Sequence, residues 1–249
     1  MQVIFRLLLA IIHVLYKFIF WSRLQWKIFI ELVFSDRNSS MENDVLSELI
    51  KDVTKLPEHL VVILGHEEVS FHDLVRIVGW CVIAGIPCVS FYDHNGFLQR
   101  NDKVMRKKIA IERPDLEQNI VWNSELSVKS IKNGTNGIKH KTKIQLLSYD
   151  DGKGKIVSLV QELSKGVISG VLQSDEININ LLAEKLKFEG IPNPDLAIVC
   201  GRTFSTYGLL PWHIKVTEFV QIQSHHRILV KDFAMLLRKY SKCEQRHGK

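Results

Sequence analysis

Short apolar segments rich in β-branched residues recur along the chain and predict the strands of a buried sheet. Two of them, residues 59–65 and 87–92, are continuous apolar runs, which is typical of strands buried on both faces. Two further strands are predicted at 143–149 and 194–201, and residues 218–222 fit a fifth. Strands of this kind have no solvent-facing side, so other elements must cover both faces of the sheet.

The segments between these strands carry apolar residues at intervals of three and four, the period of a helix packed on one side. Ser40 is predicted to cap the first helix, and Gly85 is predicted to end the second. A strand, a helix and another strand follow within about 35 residues, which indicates parallel pairing. The expected fold is therefore α/β, with a mostly parallel central sheet flanked by helices. The helices are predicted at 40–53, 70–85, 154–170, 178–190 and 229–246, and a basic, helix-compatible stretch runs over 97–113.

Composition divides the chain into a hydrophobic segment, a connecting region and one globular domain. Residues 1–35 form the hydrophobic segment, 36–58 hold a polar hinge and the leading helix, and 59–249 form the domain. Within the domain, residues 114–140 are rich in Asn, Gly, Ser and Lys and show little periodicity. We interpret that stretch as an exposed, mobile insertion.

The hydrophobic segment is expected to attach the protein to a membrane. Residues 1–21 are apolar almost throughout and end without the small residues of a signal-peptide cleavage site. About twenty apolar residues are enough to span a bilayer, so an N-terminal membrane helix is predicted. Arg6, His13 and Lys17 fall on one stripe of that helix, which suits a helix lying in the membrane surface equally well. The sequence leaves the mode of attachment open.

The charge of the chain narrows the classes of partner. The 249 residues carry a formal net charge of +6 at pH 7, with 46% apolar and 24% charged residues. No Lys/Arg-rich block is interleaved with aromatic residues, and no zinc-finger spacing is present, so we discount nucleic acid as a partner. An anionic membrane surface or a phosphate-bearing small molecule fits the charge instead. The four cysteines show no metal-ligand spacing.

The carboxyl ends of the predicted strands are the places where a parallel sheet binds ligands. The first strand is followed by Gly65-His66-Glu67-Glu68, in which a single glycine and two acids oppose phosphate binding. This group fits either a metal site or a solvated turn, and the turn is the preferred interpretation. The second strand ends at Asp93-His94-Asn95-Gly96, a strong turn signal. No P-loop, GxGxxG, HExxH or local Ser-His-Asp arrangement is present.

Several longer stretches resemble the cis-prenyltransferase family. They are "WCVIAGIPCVSFYDHNGFLQRN", "LLSYDDGKGKIVSLVQEL", "STYGLLPWHIKVTEF" and the terminal "CEQRHGK". The resemblance runs from about His59 to the last residue, and it is nearest to the non-catalytic subunits that pair with a catalytic one. It implies the cis-prenyltransferase fold. Enzymes of this family condense isopentenyl diphosphate onto an allylic diphosphate, and Mg²⁺ neutralises the charge of the departing diphosphate.

The chain departs from the enzyme pattern at the places where the enzymes hold metal and diphosphate. The enzymes carry H-x5-D-G-N-R at the first strand, and its aspartate organises the metal. Six residues after His59 this chain has Gly65, followed by His66-Glu67-Glu68. The late R-T-x-G-x-x-R-x-S segment of the enzymes corresponds to residues 199–205 here, where Arg202 is out of register. The resemblance therefore implies that this chain has no catalytic residue and no metal ligand of its own.

Other family positions are retained in this chain. The terminal Arg246-His247-Gly248 matches the family's R-x-G, which crosses the dimer and completes the active site of the partner. The match implies that Arg246 and Gly248 bind diphosphate in a shared site, with His247 as a further donor. Trp212 and Glu218 also match family positions and are expected to be structural or interfacial.

The leading hypothesis is an accessory subunit of a heteromeric cis-prenyltransferase. It would bind a catalytic subunit, hold the pair at the endoplasmic reticulum membrane with its domain in the cytosol, and complete a site for isopentenyl and allylic diphosphate. The Mg²⁺ would be held mainly by the partner, and the product would be a long polyprenyl diphosphate, the precursor of dolichol for protein glycosylation. Two alternatives stay open. One is a self-sufficient prenyltransferase with a rearranged metal site using Glu67, Glu68 or Glu218, and the other is a membrane receptor or lipid-binding scaffold that reuses the fold.

Overall fold

A computed structural model gives the structure of the protein for residues 4–6, 9–19, 21–22, 39–123, 141–188 and 190–244. The chain forms two compact units, residues 1–44 and residues 45–249. The described residues of the first unit before residue 23 are helical, and their apolar side chains are exposed. Among the described residues, no helix has the length and hydropathy needed to cross a membrane.

The second unit is built on one sheet of six strands, and every neighbouring pair in it is parallel. The strand order is β3-β4-β2-β1-β5-β6. The predicted parallel α/β architecture is thereby confirmed, including the fifth predicted strand. The strands are β1 (His59–Ile63), β2 (Cys88–Tyr92), β3 (Ile120–Trp122), β4 (Thr142–Leu147), β5 (Leu196–Cys200) and β6 (Glu218–Ile222).

Helices connect the strands and cover the faces of the sheet. Ser70 caps the second of them and Gly85 ends it in the left-handed conformation, as predicted for Gly85. The first helix begins at Ser39, so Ser40 lies inside that helix and the prediction that it caps the helix was wrong. The helices are α1 (Ser39–Leu49), α2 (Phe71–Ala84), α3 (Phe97–Arg100), α4 (Asp102–Glu112), α5 (Lys153–Ile168), α6 (Ile179–Leu186) and α7 (Val230–Ser241).

The strand order determines where a binding site can form. β1, β2 and β5 are buried along their whole length, as their continuous apolar sequences predict. From β1 the chain moves to one side of the sheet through β2, β3 and β4, and it then returns to β5 on the other side of β1. In an open parallel sheet, the crevice at such a reversal lies outside the carboxyl ends of the two strands. The ends of β1 and β5 are therefore the place to look for chemistry.

Two predicted boundaries differ from the structure. The stretch 114–140 was expected to be a mobile insertion, but its first part contains a 3-10 helix (Pro114–Leu116) and the buried strand β3. A strand of three residues is too short to show a period in the sequence. In the fold this strand packs against α4, where the Arg106 guanidinium lies 4.2 Å from the ring centre of Trp122. Residues 124–140 lie outside the described residues. The last helix was predicted to reach residue 246, but it ends at Ser241.

Stability is expected to fall in mild acid because His59 is buried at the start of β1. Its Nδ1 donates to the Pro192 carbonyl at 2.8 Å, and its Nε2 accepts from the Ser90 hydroxyl at 2.7 Å. Burial lowers the pKa of His59 to about 4 from an ordinary value of 6.5. Between these values the unfolded chain binds a proton that the folded chain does not, so the free energy of unfolding should fall by about 2 kcal/mol from pH 7 to pH 5. Urea denaturation at both pH values measures this fall. A His59→Gln variant should lose that part of the pH dependence, and an unchanged dependence in the variant would contradict the assignment.

Candidate functional site

The candidate site lies outside the carboxyl ends of β1, β2 and β5. Three chain segments meet there: residues 65–68 after β1, residues 93–96 after β2 and residues 201–208 after β5. The sequence predicted that these segments follow the ends of the strands. It did not predict how the third segment folds.

Gly65 is packed against Cys200 and the third segment, which leave no room for a side chain on it. Its φ of +65° lies in the left-handed region, which favours glycine. A Cβ atom added to Gly65 would lie 2.9 Å from the Cys200 carbonyl oxygen and 3.3 Å from the ring of Tyr207. The position that the resemblance aligns with the metal-binding aspartate of the enzymes therefore leaves no room for a side chain unless its neighbours shift.

Tyr207 folds over the strand ends and fastens the third segment to them. Its backbone carbonyl accepts hydrogen bonds from the Tyr92 hydroxyl at 2.7 Å and from Nδ1 of His94 at 3.0 Å. Its ring meets the His66 ring edge to face, with 5.0 Å between their centres. The backbone of Tyr207 has a φ of +50°, an uncommon value for a residue with a side chain, and these contacts hold it there. The ring of Tyr207 thus lies in contact with the position of Gly65 at the end of β1.

Glu67 is neither a solvated turn residue nor a free metal ligand. Its Oε2 accepts from the Ser224 hydroxyl at 3.0 Å, from the His225 backbone N–H at 3.0 Å and from Nδ1 of His225 at 2.8 Å. Burial by itself raises the pKa of the Glu67 carboxyl, but the hydrogen bonds from His225 and Ser224 outweigh it and hold that pKa below its ordinary value. The predicted turn is present, since the Glu67 N–H donates to the Leu64 carbonyl at 3.4 Å. The prediction that its side chain is solvated was wrong, because the partners of the carboxylate lie far away in the sequence.

The described residues contain a group of three side chains whose ligand atoms lie within 4.8 Å of one another, namely Glu67, His225 and His226. Nε2 of the buried His225 accepts a hydrogen bond from the Ser70 N–H at 3.1 Å, so the ring proton lies on Nδ1 and points at Glu67. A metal ion bound at Nδ1 would move that proton to Nε2, where it would face another donor. Nε2 of His226 donates to the Glu68 carbonyl at 2.7 Å. These contacts oppose metal binding.

Magnesium also does not fit Asp93, the acid at the end of β2. Mg²⁺ prefers an octahedron of oxygen ligands from carboxylates, water and substrate phosphates. Asp93 is buried, and its two carboxylate oxygens accept from the backbone N–H groups of Asn95, Phe97 and Leu98. Asp93 therefore fastens the turn after β2, as its turn sequence predicts. Within the described part of the site, Gly65 offers no carboxylate and both oxygens of Asp93 accept backbone N–H groups, which leaves the exposed Glu68 as the remaining acid of the segment after β1.

Glu218 lies at the amino ends of the parallel strands, whereas Gly65 lies beyond their carboxyl ends. It is the first residue of β6 and pairs with Leu196 at the start of β5, and its N–H donates to the Asp195 carbonyl at 2.9 Å. Because all strands are parallel, the start of β6 and the end of β1 are separated by the length of a strand, about 13 Å at 3.3 Å per residue. Glu218 and Glu67 therefore do not form one metal site within this chain.

The remaining predicted site residues are distributed around the domain. Trp212 is half-buried, packs against a cluster formed by Leu159, Leu163 and Leu186, and lines a cavity of about 310 Å³. Arg202 is exposed in the segment after β5. The described chain ends three residues beyond α7, at Glu244, so Arg246, His247 and Gly248 lie outside the described residues.

Solved structures share the architecture of the chain. Lavandulyl diphosphate synthase from Lavandula x intermedia, in complex with dimethylallyl diphosphate, superposes with a TM-score of 0.54 at 16% identity, covering 79% of this chain and 99% of that one. With the six-stranded parallel sheet, this match defines the class: the chain has the cis-prenyltransferase fold. No protein-family model matches the sequence.

Curated relatives identify the family within that class. The chain is 33% identical over 204 residues to the dehydrodolichyl diphosphate synthase complex subunit Nus1 of Mus musculus, covering 80% of this chain and 68% of the mouse protein. It is 34% identical over 203 residues to the subunit NUS1 of Homo sapiens, covering 80% of this chain and 69% of the human protein. The chain belongs to the NUS1 family of dehydrodolichyl diphosphate synthase complex subunits.

Proposed function

We propose that this chain is the non-catalytic subunit of a heteromeric cis-prenyltransferase that makes dehydrodolichyl diphosphate. The observation that carries the proposal is the closed strand end: Gly65 leaves no room for a side chain, and Tyr207 lies over it. Gly65 therefore gives this chain no carboxylate at the position that the resemblance aligns with the Mg²⁺-organising aspartate of the enzymes. The NUS1 relatives are named as subunits of a complex, which supports a catalytic cis-prenyltransferase as the partner.

In this proposal the chain contributes its C-terminus to the active site of the partner. Arg246 offers a planar fork of N–H donors to a diphosphate. Gly248 has no side chain, so its backbone N–H can approach a phosphate oxygen closely, and His247 offers a further donor. The substrates of the shared site are isopentenyl diphosphate and an allylic diphosphate, and the partner holds the Mg²⁺. This chain then binds and orients substrate without transferring any group itself.

Trp212 and Glu218 have structural or interfacial roles in the same proposal. Both lie away from the closed strand ends, Glu218 at the amino end of the edge strand β6 and Trp212 beside α5 and α6. Such positions support the packing of the domain or its contact with the partner. They do not support a metal site that joins Glu218 to Glu67.

The proposed location of the pair is the endoplasmic reticulum membrane, with the domain in the cytosol. The apolar N-terminal segment would attach the chain there, and the described helical residues expose Phe5, Ile11 and Phe18 by more than half of their surface. The dehydrodolichyl diphosphate made at this membrane would serve dolichol synthesis and protein glycosylation.

Assays of the purified subunits, alone and together, test the proposed function. With Mg²⁺ and both substrates, this chain alone is expected to form no elongated product. The mixture should turn over about two orders of magnitude faster than the sum of the two separate subunits, because each half supplies groups that stabilise the transition state. Sustained elongation by this chain alone would instead establish the self-sufficient enzyme. An unchanged rate of the catalytic subunit on mixing would favour the receptor or scaffold.

A further inference from the structure

The loop between β6 and α7, residues 224–227, is fastened along its whole length to the segment that begins α2. Ser224 and His225 donate to Glu67, as described above. His226 donates to the Glu68 carbonyl, and the Arg227 N–H donates to Oδ1 of Asp73 at 3.0 Å. Each of the four consecutive residues of the loop therefore donates a hydrogen bond to residues 67–73.

Glu67 accepts most of the hydrogen bonds that hold this loop. Its Oε2 accepts three hydrogen bonds, one of them from Nδ1 of His225. Nε2 of the same His225 ring accepts a hydrogen bond from the Ser70 N–H at the N-terminus of α2. Arg227, two residues before the cap of α7, has a φ of +56°, a backbone conformation that side chains disfavour. Without the Glu67 carboxylate the loop would keep the bonds donated by His226 and Arg227 but lose the three donated by Ser224 and His225, which precede this strained residue.

The fastened loop determines where α7 begins, and α7 leads to the C-terminus. α7 has 12 residues, which corresponds to a length of about 18 Å. A tilt of about 10° at its start therefore displaces its far end by about 3 Å, and a misplacement of about 1 Å can lower catalysis by about 100-fold. The apolar face of α7, with Phe233, Leu237 and Tyr240 buried, resists such a tilt, so the expected effect is smaller than this limit.

We infer that Glu67 is a positioning residue for the shared active site: it holds the loop 224–227, and thereby α7, so that Arg246 reaches the diphosphate in the partner. This inference rests on the proposed function. The acid occupies a family position that faces substrate in the enzymes, yet in this chain it acts on the chain's own C-terminal helix. Its catalytic effect is exerted entirely through Arg246.

A double-mutant cycle in the assembled pair tests this role. Glu67→Ala is expected to lower kcat by about tenfold in the wild-type chain and to have no further effect in an Arg246→Ala chain, because the group being positioned is gone. The matched control is Glu112→Ala, which removes another carboxylate paired with a histidine, His72 at 3.0 Å, away from the loop. Glu112→Ala should leave kcat unchanged in both backgrounds.

The outcomes separate this inference from the proposed function. If Arg246→Ala lowers kcat but Glu67→Ala lowers it equally in both backgrounds, or in neither, the positioning role is overturned while the shared site stands. If Arg246→Ala itself has no effect, the shared site is overturned. Should Glu67→Ala fail to fold, the cycle is run with Glu67→Gln. Glutamine keeps an oxygen acceptor and loses the charge, and a loss of about threefold, again confined to the Arg246 background, is expected.

Discussion

Replacing Arg246 by alanine is expected to lower the turnover of the assembled pair by about 100-fold or more while the two subunits stay bound to each other. A guanidinium fork on a diphosphate stabilises charge that grows as the allylic diphosphate departs, and the loss of one such donor typically has an effect of this size. Steady-state kinetics of the purified pair measures the turnover, and size-exclusion chromatography of the same sample measures the association.

Lys242→Ala provides the matched control for the Arg246 experiment. Lys242 is an exposed cation four residues before Arg246, so its removal changes the net charge of the same region by the same amount. Its replacement should leave turnover within about twofold, since exposed charges contribute little in water. Equal losses for both variants would show a general effect of charge, and full activity of Arg246→Ala would show that the C-terminus is not part of the active site.

Replacing Gly65 by aspartate is expected to lower the free energy of unfolding by about 3 kcal/mol and to create no activity in the isolated chain. The aspartate restores the residue type that the family enzymes carry, but its Cβ would lie 2.9 Å from the Cys200 carbonyl oxygen. Overpacking and an unfavourable backbone conformation each contribute about 1–3 kcal/mol. Urea denaturation measures the stability, and an elongation assay with Mg²⁺ measures the activity.

Gly170→Asp separates the two contributions. Gly170 has a similar φ of +75°, but no atom lies within 4 Å of its Cβ position. This variant should lose only about 1 kcal/mol, because it carries the backbone strain without the collision. If the two variants were equally stable, the strand end would have room for a side chain. A Gly65→Asp chain that elongates prenyl substrates alone would show that a single residue separates this chain from the enzymes.

The closed strand end and the fastened loop give a physical account of how the site has changed its use. In the enzyme pattern the residues after the first strand face substrate, whereas here His66 packs on Tyr207 and Glu67 binds His225. Such polar contacts stabilise a buried arrangement only when every donor finds an acceptor, and Glu67 accepts three donors at once. In the proposed function, these contacts make the residues after β1 part of the framework of the domain.

The sequence by itself determined the class of the fold, and its resemblance to the cis-prenyltransferases implied that Gly65 stands where the enzymes carry an aspartate. Continuous apolar runs predicted β1, β2 and β5, because a strand buried on both faces leaves no position for polar residues. Counting six residues from His59 located Gly65 without any structure. The short strand β3 escaped prediction because three residues cannot show a period.

Only the tertiary structure decided what surrounds Gly65 and Glu67. Glu67 and His225 are 158 positions apart in the chain, and Tyr92 and the carbonyl of Tyr207 are 115 apart. No local pattern encodes such pairs, because they arise from the order in which parallel strands stack and from the loops that this order brings to one edge. Because the strands are parallel, Glu218 at the start of β6 is separated from the carboxyl ends of the strands by the length of a strand. The sequence located Gly65 and Glu67 at the end of β1, and the packing of distant segments determined what surrounds them.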